Sequence, residues 1–331
     1  MSKVFVYGMR DFDELPFFEK FTREMGMELA YTAEYPSPDN WHYTKGCDAV
    51  NILTTETGPD MMDALQANGV KCIVTRTIGY DHVDVNYAHK IGMGVGAITY
   101  SPATVADYTI MLMLIACRKL KYIMAKGDVQ DYRLGTAKLG RELRSCTVGV
   151  IGTGRIGKTV IRQLSGWGCK ILANDVYESD EVKQYAEYVD LETLYANSDI
   201  ITLHAPAMES TYHMLNAETF AQMKDGVIII NCARGQLIDT QALIDALNSG
   251  KVGYACLDVI EKELGVYYRD LSGQILDNPE MHVLKGMHNV YFSPHMAFYT
   301  DEAVSNMAEN SLIAIKAYLN GEDSPFIIKK K

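Results

Sequence analysis

The chain has 331 residues, more than one ordinary core holds and about the length of two domains. Its 48% hydrophobic and 22% charged residues are those of a globular protein. With 31 Lys and Arg against 42 Asp and Glu, the net charge of −11 leaves no basic footprint for nucleic acid or anionic lipid, so an anionic ligand has to be held by local groups.

The first segment, MSKVFVYGMRDFDE, reads as a strand and an acidic turn rather than a signal peptide. Short β-rich runs follow at even spacing through the first hundred residues: KVFVYG, MELAYT, DAVNIL, KCIVTRT and GVGAI. Next comes SPATVADYTIMLMLIACRKL, a helix with Ser101-Pro102 as its start signal and Arg118 and Lys119 in its last turn. Its apolar run, Ile110 to Cys117, is too short to span a bilayer.

A second set of strand-like runs then appears: TVGVIG, KILAND, DIITLHA, GVIIINCA, GYACLDV and NVYFSP. Continuous apolar runs without in/out alternation predict strands buried on both faces. With helices between them they predict an α/β fold of two doubly wound parallel sheets, Rossmann-like or flavodoxin-like, with an interdomain cleft. The tail, TDEAVSNMAENSLIAIKAYLNG, is a helix with no strand near it in sequence. It starts at Thr300-Asp301, stops at Gly321 and repeats Val304, Met307, Ala308, Leu312, Ile315 and Leu319 at helical spacing. It is expected to cross back to the first domain, making that domain discontinuous: residues 1–100 with 299–331, and 101–298 inserted. The seven cysteines, 47, 72, 117, 146, 169, 232 and 256, are scattered and lack a CxxC spacing. They predict reduced, mostly buried thiols in a cytoplasmic protein, with no disulfide framework and no metal site.

The most specific stretch is TVGVIGTGRIGKTVIRQL. Gly152, Gly154 and Gly157 form G-x-G-x-x-G directly after a strand and at the start of a helix. Gly152 permits the tight turn, Gly154 lets backbone approach a pyrophosphate, and Gly157 allows helix and strand to pack closely. A second strand ends at Asp175, 23 residues after Gly152, where a carboxylate suits the two ribose hydroxyls of an adenosine. No Lys or Arg follows in DVYESDE, and its acids repel a 2′-phosphate, so the expected cofactor is NAD rather than NADP.

Hydride transfer to a 2-oxo acid needs a guanidinium for the substrate carboxylate, an acid for the developing alkoxide, and a carboxylate that favours the charged form of that acid. Three strand ends of the second set supply candidates. In VIIINCARGQLID the strand ends at Arg234, whose placement after a mostly apolar run also fits a structural ion pair. GYACLDVIEKE offers Asp258, Glu261 and Glu263, of which at least one reads as a solvated loop acid. In NVYFSPHMAFYT the strand ends at His295; a lone histidine there is more often a hydrogen-bonded core residue.

Together VGVIGTGRIG, NCARGQLID, ACLDVIEKE and SPHMAFYTDEA resemble the D-isomer-specific 2-hydroxyacid dehydrogenases, in the D-lactate dehydrogenase branch that includes the vancomycin-resistance enzymes. The resemblance runs from YGMRDFDELPFF to the last helix. It implies a discontinuous substrate domain, an inserted NAD-binding domain and a homodimer acting on small 2-oxo or 2-hydroxy acids. It also implies Arg234 as substrate clamp, His295 as proton donor, and Glu263 rather than Glu261 as its acid partner. For the cofactor it implies the turn residues Arg155 and Ile156, Asp175 on the ribose, Ala205-Pro206, Thr211 and Cys232-Ala233 as lining, and Asp258 near the nicotinamide carboxamide. For the substrate it implies the Ile78 and Gly79 amides, in RTIGYDHVD, and Tyr100, in YSPATVADY; His82 in the first of these loops reads as structural.

Lactate-type relatives often carry a tyrosine where Leu53 aligns here. With Phe298 and Tyr299 as an opposing wall, that change admits branched or aromatic 2-oxo acids as well as pyruvate. Formate and phosphoglycerate dehydrogenases share the glycine turn and the arginine. Glu263 argues against formate, whose enzymes pair the histidine with glutamine, and no added cations favour phosphoglycerate. A catalytically inactive NAD(H)-sensing partner protein is the alternative of another class, and the complete Arg234, Glu263 and His295 set argues against it.

Overall fold

The structure, a computed structural model, describes residues 1–329 and divides by contact into two units, Met1–Ser101 with Tyr299–Lys331 and Pro102–Phe298. Each has its own sheet and its own core.

The first unit contains β1 (Lys3–Val6), β2 (Glu28–Tyr31), β3 (Ala49–Ile52), β4 (Cys72–Thr75) and β5 (Gly94–Ala97), all parallel and in the order β2-β1-β3-β4-β5. This is the flavodoxin-like winding, which reverses between β1 and β3. β3 and β4 are buried along their whole length, which is why AVNI and CIVT show no alternation. The helix Asp301–Asn320 packs on this sheet with Val304, Met307, Ala308, Leu312 and Ile315 buried. After it the chain runs along β5: Ala97 N donates to Phe326 O at 2.9 Å and Ile328 N to Val95 O at 2.9 Å. The open edge of β5 is thereby covered.

The second unit contains β6 (Thr147–Ile151), β7 (Lys170–Asn174), β8 (Glu187–Tyr188), β9 (Ile200–Leu203), β10 (Val227–Asn231), β11 (Val252–Leu257) and β12 (Val290–Phe292). They are parallel in the order β12-β11-β10-β9-β6-β7-β8, the dinucleotide-binding winding with one added strand. The order reverses between β6 and β9, so the ligand site of such a sheet falls at their carboxyl ends. VIIIN of β10 is buried at every position.

Two details differ from the sequence expectation. The helix at Pro102 stops at Cys117, so Arg118 and Lys119 are not in its last turn. Lys119 takes a left-handed conformation (φ 52°) and a new helix runs Leu120–Asp128. Lys121 anchors that helix by donating its amine to the carbonyls of Met287 and Val290. The two-residue strand β8 has no apolar run to announce it; it pairs with Leu172 and Ala173 at the outer edge.

Candidate active site

The turn after β6 is built by backbone contact. Gly152 lies at φ 91°, where a Cβ would stand 2.6 Å from the Ala205 amide nitrogen. A Cβ on Gly157 would meet the Gly152 carbonyl oxygen at 2.0 Å, so the helix Arg155–Leu164 starts pressed against the turn. Gly154 differs, because nothing lies within 4 Å of where its Cβ would be. Open space beside the first amides of a ten-residue helix fits the pyrophosphate of a dinucleotide. Arg155 and Ile156 are the first two residues of that helix.

Asp175 directly follows β7. Its Oδ2 accepts from the Thr153 amide at 2.5 Å and the Thr153 hydroxyl at 3.1 Å, and its Oδ1 from the Tyr177 amide at 3.1 Å. Burial pushes this carboxyl up, but the hydrogen bonds outweigh it and hold it below the usual aspartate range, ionised and fixed. Tyr188 of β8 props the arrangement through its hydroxyl, 2.8 Å from that of Thr153. After β9, Ala205 is buried and Pro206 exposed. The Thr211 hydroxyl donates to the Pro206 carbonyl at 2.7 Å and closes that loop. Cys232 and Ala233 follow β10, and burial pushes the Cys232 thiol well up, keeping it protonated.

Arg234, the three acids and His295 lie just past the carboxyl ends of the neighbouring strands β10, β11 and β12. Arg234 is half-buried, and its Nη1 donates to the Ala233 carbonyl at 2.7 Å. The Asn231 side chain holds the segment, accepting from the Ala233 amide at 3.0 Å and donating to the Arg234 carbonyl at 2.9 Å. The next residue, Gly235, has no room for a side chain. A Cβ there would be 2.0 Å from the Ile260 carbonyl carbon and 2.4 Å from the Glu261 amide nitrogen. Backbone contact without a side chain therefore joins the arginine segment to the loop after β11.

In that loop Glu263 Oε1 lies 2.8 Å from His295 Nδ1. The other carboxylate oxygen accepts from the Ile260 amide at 3.1 Å. Glu261 faces elsewhere, to His213 Nε2 at 2.8 Å and to the Thr240 hydroxyl at 2.6 Å. His295 has a left-handed backbone (φ 54°), which costs a non-glycine residue about 1–2 kcal/mol. Its amide donates to the Asp258 carbonyl at 2.7 Å. The Asp258 carboxylate, fully buried, accepts from the Ser293 hydroxyl (2.6 Å) and from the amides of Met296 (2.8 Å) and Ala297 (2.9 Å). Burial raises the Asp258 pKa, and these donors offset only part of the rise. Asp258 thus organises the turn that carries His295.

The substrate candidates of the first unit sit on its strand ends. Leu53 is buried just past β3 and its carbonyl accepts from the Thr75 hydroxyl at 3.2 Å. Thr75 and Thr77 hydroxyls lie 2.7 Å apart, and Thr77 donates to the Gly79 carbonyl at 2.7 Å. His82 Nε2 lies 3.0 Å from the Thr75 hydroxyl, so these polar groups shape the loop of Ile78 and Gly79. The segment around Tyr100 is fastened to the last helix by Asn310 donating to the Thr99 carbonyl and Ser101 N donating to Asn306. The Tyr299 hydroxyl donates to Asp13 at 2.6 Å with the Arg10 guanidinium over its ring. Phe298 belongs to the second unit and meets the edge of Tyr268, ring centroids 6.1 Å apart.

Sequence reading missed Arg76. It is fully buried after β4, with Nε 2.8 Å from Glu14 Oε1, and donates to Asn51 (3.0 Å) and to the Gly8 carbonyl (2.8 Å). The signal was present in KCIVTRT, an arginine directly after an apolar run, the same pattern that drew attention to Arg234. Among the described residues no group of acids, histidines and cysteines is arranged to hold a metal, and no helix is long and apolar enough to cross a membrane.

The family described as D-isomer specific 2-hydroxyacid dehydrogenase, NAD binding domain, matches residues 110–297, more than half of the chain. The chain belongs to that family. The aromatic 2-oxoacid reductase of Clostridium sporogenes is 39% identical over 96% of both chains. The D-lactate dehydrogenase of Lactiplantibacillus plantarum is 39% identical over the same share. Among solved structures, a D-lactate dehydrogenase from Treponema pallidum has a TM-score of 0.90 and 33% identity over 99% of this chain and all of that one. As a 2-hydroxyacid dehydrogenase of the D-lactate dehydrogenase branch, the protein is an NAD-dependent oxidoreductase that reduces a 2-oxo acid to a D-2-hydroxy acid.

Proposed function

We propose that Arg234 clamps the carboxylate of the 2-oxo acid, that His295 delivers the proton to its oxygen, and that Glu263 orients the imidazole for that step. The single observation behind this assignment is the 2.8 Å pair between Glu263 Oε1 and His295 Nδ1. A carboxylate at Nδ1 fixes the tautomer and leaves Nε2 as the donor for substrate. NADH, when bound, supplies the hydride. Arg155, Ile156, Asp175, Ala205, Pro206, Thr211, Cys232, Ala233 and Asp258 are the residues assigned to hold it, with residues 101–298 as the cofactor domain. Leu53, Ile78, Gly79, Tyr100, Phe298 and Tyr299 are assigned to substrate, the first four and Tyr299 from the substrate domain.

The preferred substrate in this reading is a 2-oxo acid with a branched or aromatic side chain. Leu53 in place of a bulkier tyrosine supports it, as does the likeness to a protein named aromatic 2-oxoacid reductase. The test is kcat/KM for pyruvate, 4-methyl-2-oxopentanoate and phenylpyruvate, with NADH and NADPH in parallel. A more than tenfold preference for pyruvate over both larger acids rejects the large-pocket reading. Turnover faster with NADPH than with NADH contradicts the role given to Asp175.

The protein is further proposed to be a cytoplasmic homodimer. All seven cysteines are free, as a reducing compartment keeps them. Residues 120–139 expose Met124, Val129, Tyr132, Leu134 and Leu139, with Leu134 98% accessible, more apolar surface than a short segment of a monomer ordinarily shows. Light scattering should give twice the chain mass of 36.9 kDa, and Leu134→Asp should shift the distribution toward monomer. A wild-type protein that scatters as a monomer at micromolar concentration removes this assignment.

A further inference from the structure

His295 is held at three points, and the mechanism above accounts for two of them: its amide on the Asp258 carbonyl and its Nδ1 on Glu263. The third is the Tyr268 hydroxyl, which donates to the His295 carbonyl at 2.9 Å. Tyr268 comes from the long loop between β11 and the helix Pro279–Gly286 and itself has a left-handed backbone, φ 64°. Its ring stands 6.2 Å from the imidazole, centroid to centroid, and edge-on to Phe298. Two strained residues facing each other through one hydrogen bond mark a constraint that the sequence maintains at some cost.

We propose that Tyr268 is a positioning residue for the proton transfer. Its hydroxyl fixes the peptide that follows His295, and so fixes the left-handed turn that sets the direction of the imidazole. Without that bond the amide and Nδ1 contacts still tether the histidine, but the carbonyl side of the turn is free to rotate. An imidazole displaced by a fraction of an ångström still binds Glu263 and delivers its proton late. The inference rests on His295 being the proton donor.

The test is Tyr268→Phe, which removes one oxygen and keeps the ring against Phe298. Turnover is normalised to NADH-binding sites counted by fluorescence titration. The expected result is a fall in kcat of roughly 3–10-fold with the NADH dissociation constant and the KM for the 2-oxo acid within about twofold. The solvent deuterium isotope effect on kcat should rise, because proton delivery then limits the rate more. An unchanged kcat overturns the proposal. So does a lower kcat with an unaltered isotope effect, which is the signature of a merely structural contact. If His295→Gln leaves wild-type turnover intact, the proton-donor reading fails and this inference fails with it. If His295→Gln is inactive and Tyr268→Phe is not impaired, only the present inference is lost.

Discussion

Glu261 and Glu263 are two residues apart in one loop, and each has a histidine nitrogen at 2.8 Å. What separates them is what else they touch. Glu261 binds Thr240 at the start of the helix Thr240–Ser249 and has His213 stacked on Tyr212, all of which stiffen the unit. Among the described residues, the Glu263 carboxylate has only the Ile260 amide besides His295. Glu263→Gln keeps an acceptor for Nδ1 and loses the charge that complements an imidazolium. It is expected to slow 2-oxo acid reduction about 10–100-fold in stopped-flow assays, with NADH affinity held. Glu261→Gln is expected to lower the melting temperature and leave kcat within about threefold. Equal losses of turnover in the two variants contradict the roles given to them. The choice between these glutamates was not legible from spacing, since any of three acids fits a loop of six residues; only the resemblance selected Glu263.

At the scale of elements, the carboxyl ends of β10, β11 and β12 are brought together by their order in the sheet and by one glycine. Gly235 lets the arginine segment lie against the Ile260–Glu261 backbone. Gly235→Ala forces backbone against backbone, where no flexible side chain can yield, and is expected to cost about 2–3 kcal/mol in urea unfolding. It should also lower kcat/KM more than a stability-matched substitution far from this loop, such as a core Ile→Val in the first unit. Equal kinetic effects in the two contradict the coupling of these loops. The glycine turn after β6 was legible because strand, spacing and acid are local in sequence. β8 was not, since two residues carry no periodicity, yet it supplies the tyrosine that braces Thr153 and through it Asp175.

At the scale of the whole molecule, stability is expected to depend on pH through a histidine outside the proposed chemistry. His204 follows β9, its Nε2 lies 3.0 Å from the Thr202 hydroxyl, and burial lowers its pKa to about 4. Above about pH 6.5 the ring is neutral in folded and unfolded chains alike. As pH falls from 6.5 toward 4, the unfolded chain takes up a proton that the folded one refuses, so stability declines. The loss across that window is expected to reach about 2–3 kcal/mol, read from urea midpoints at pH 7 and pH 4. His204→Asn should flatten this dependence; a variant as pH-sensitive as the wild type assigns the effect to other groups.

The parallel α/β class, the dinucleotide turn and the choice of NAD follow from the chain alone. Each rests on residues adjacent in sequence: an unbroken apolar run, three glycines at fixed spacing, an acid at the next strand end. Contacts that join distant segments were decided only by the tertiary structure. Sequence reading finds Arg76 and Glu14 62 positions apart with nothing to connect them, and the fold makes them a buried ion pair. Tyr268 and His295 are likewise 27 positions apart and meet only because β11 and β12 are neighbours. Local propensity and periodicity act over a few residues, whereas the partner of a buried polar group is set by which strands the winding places side by side.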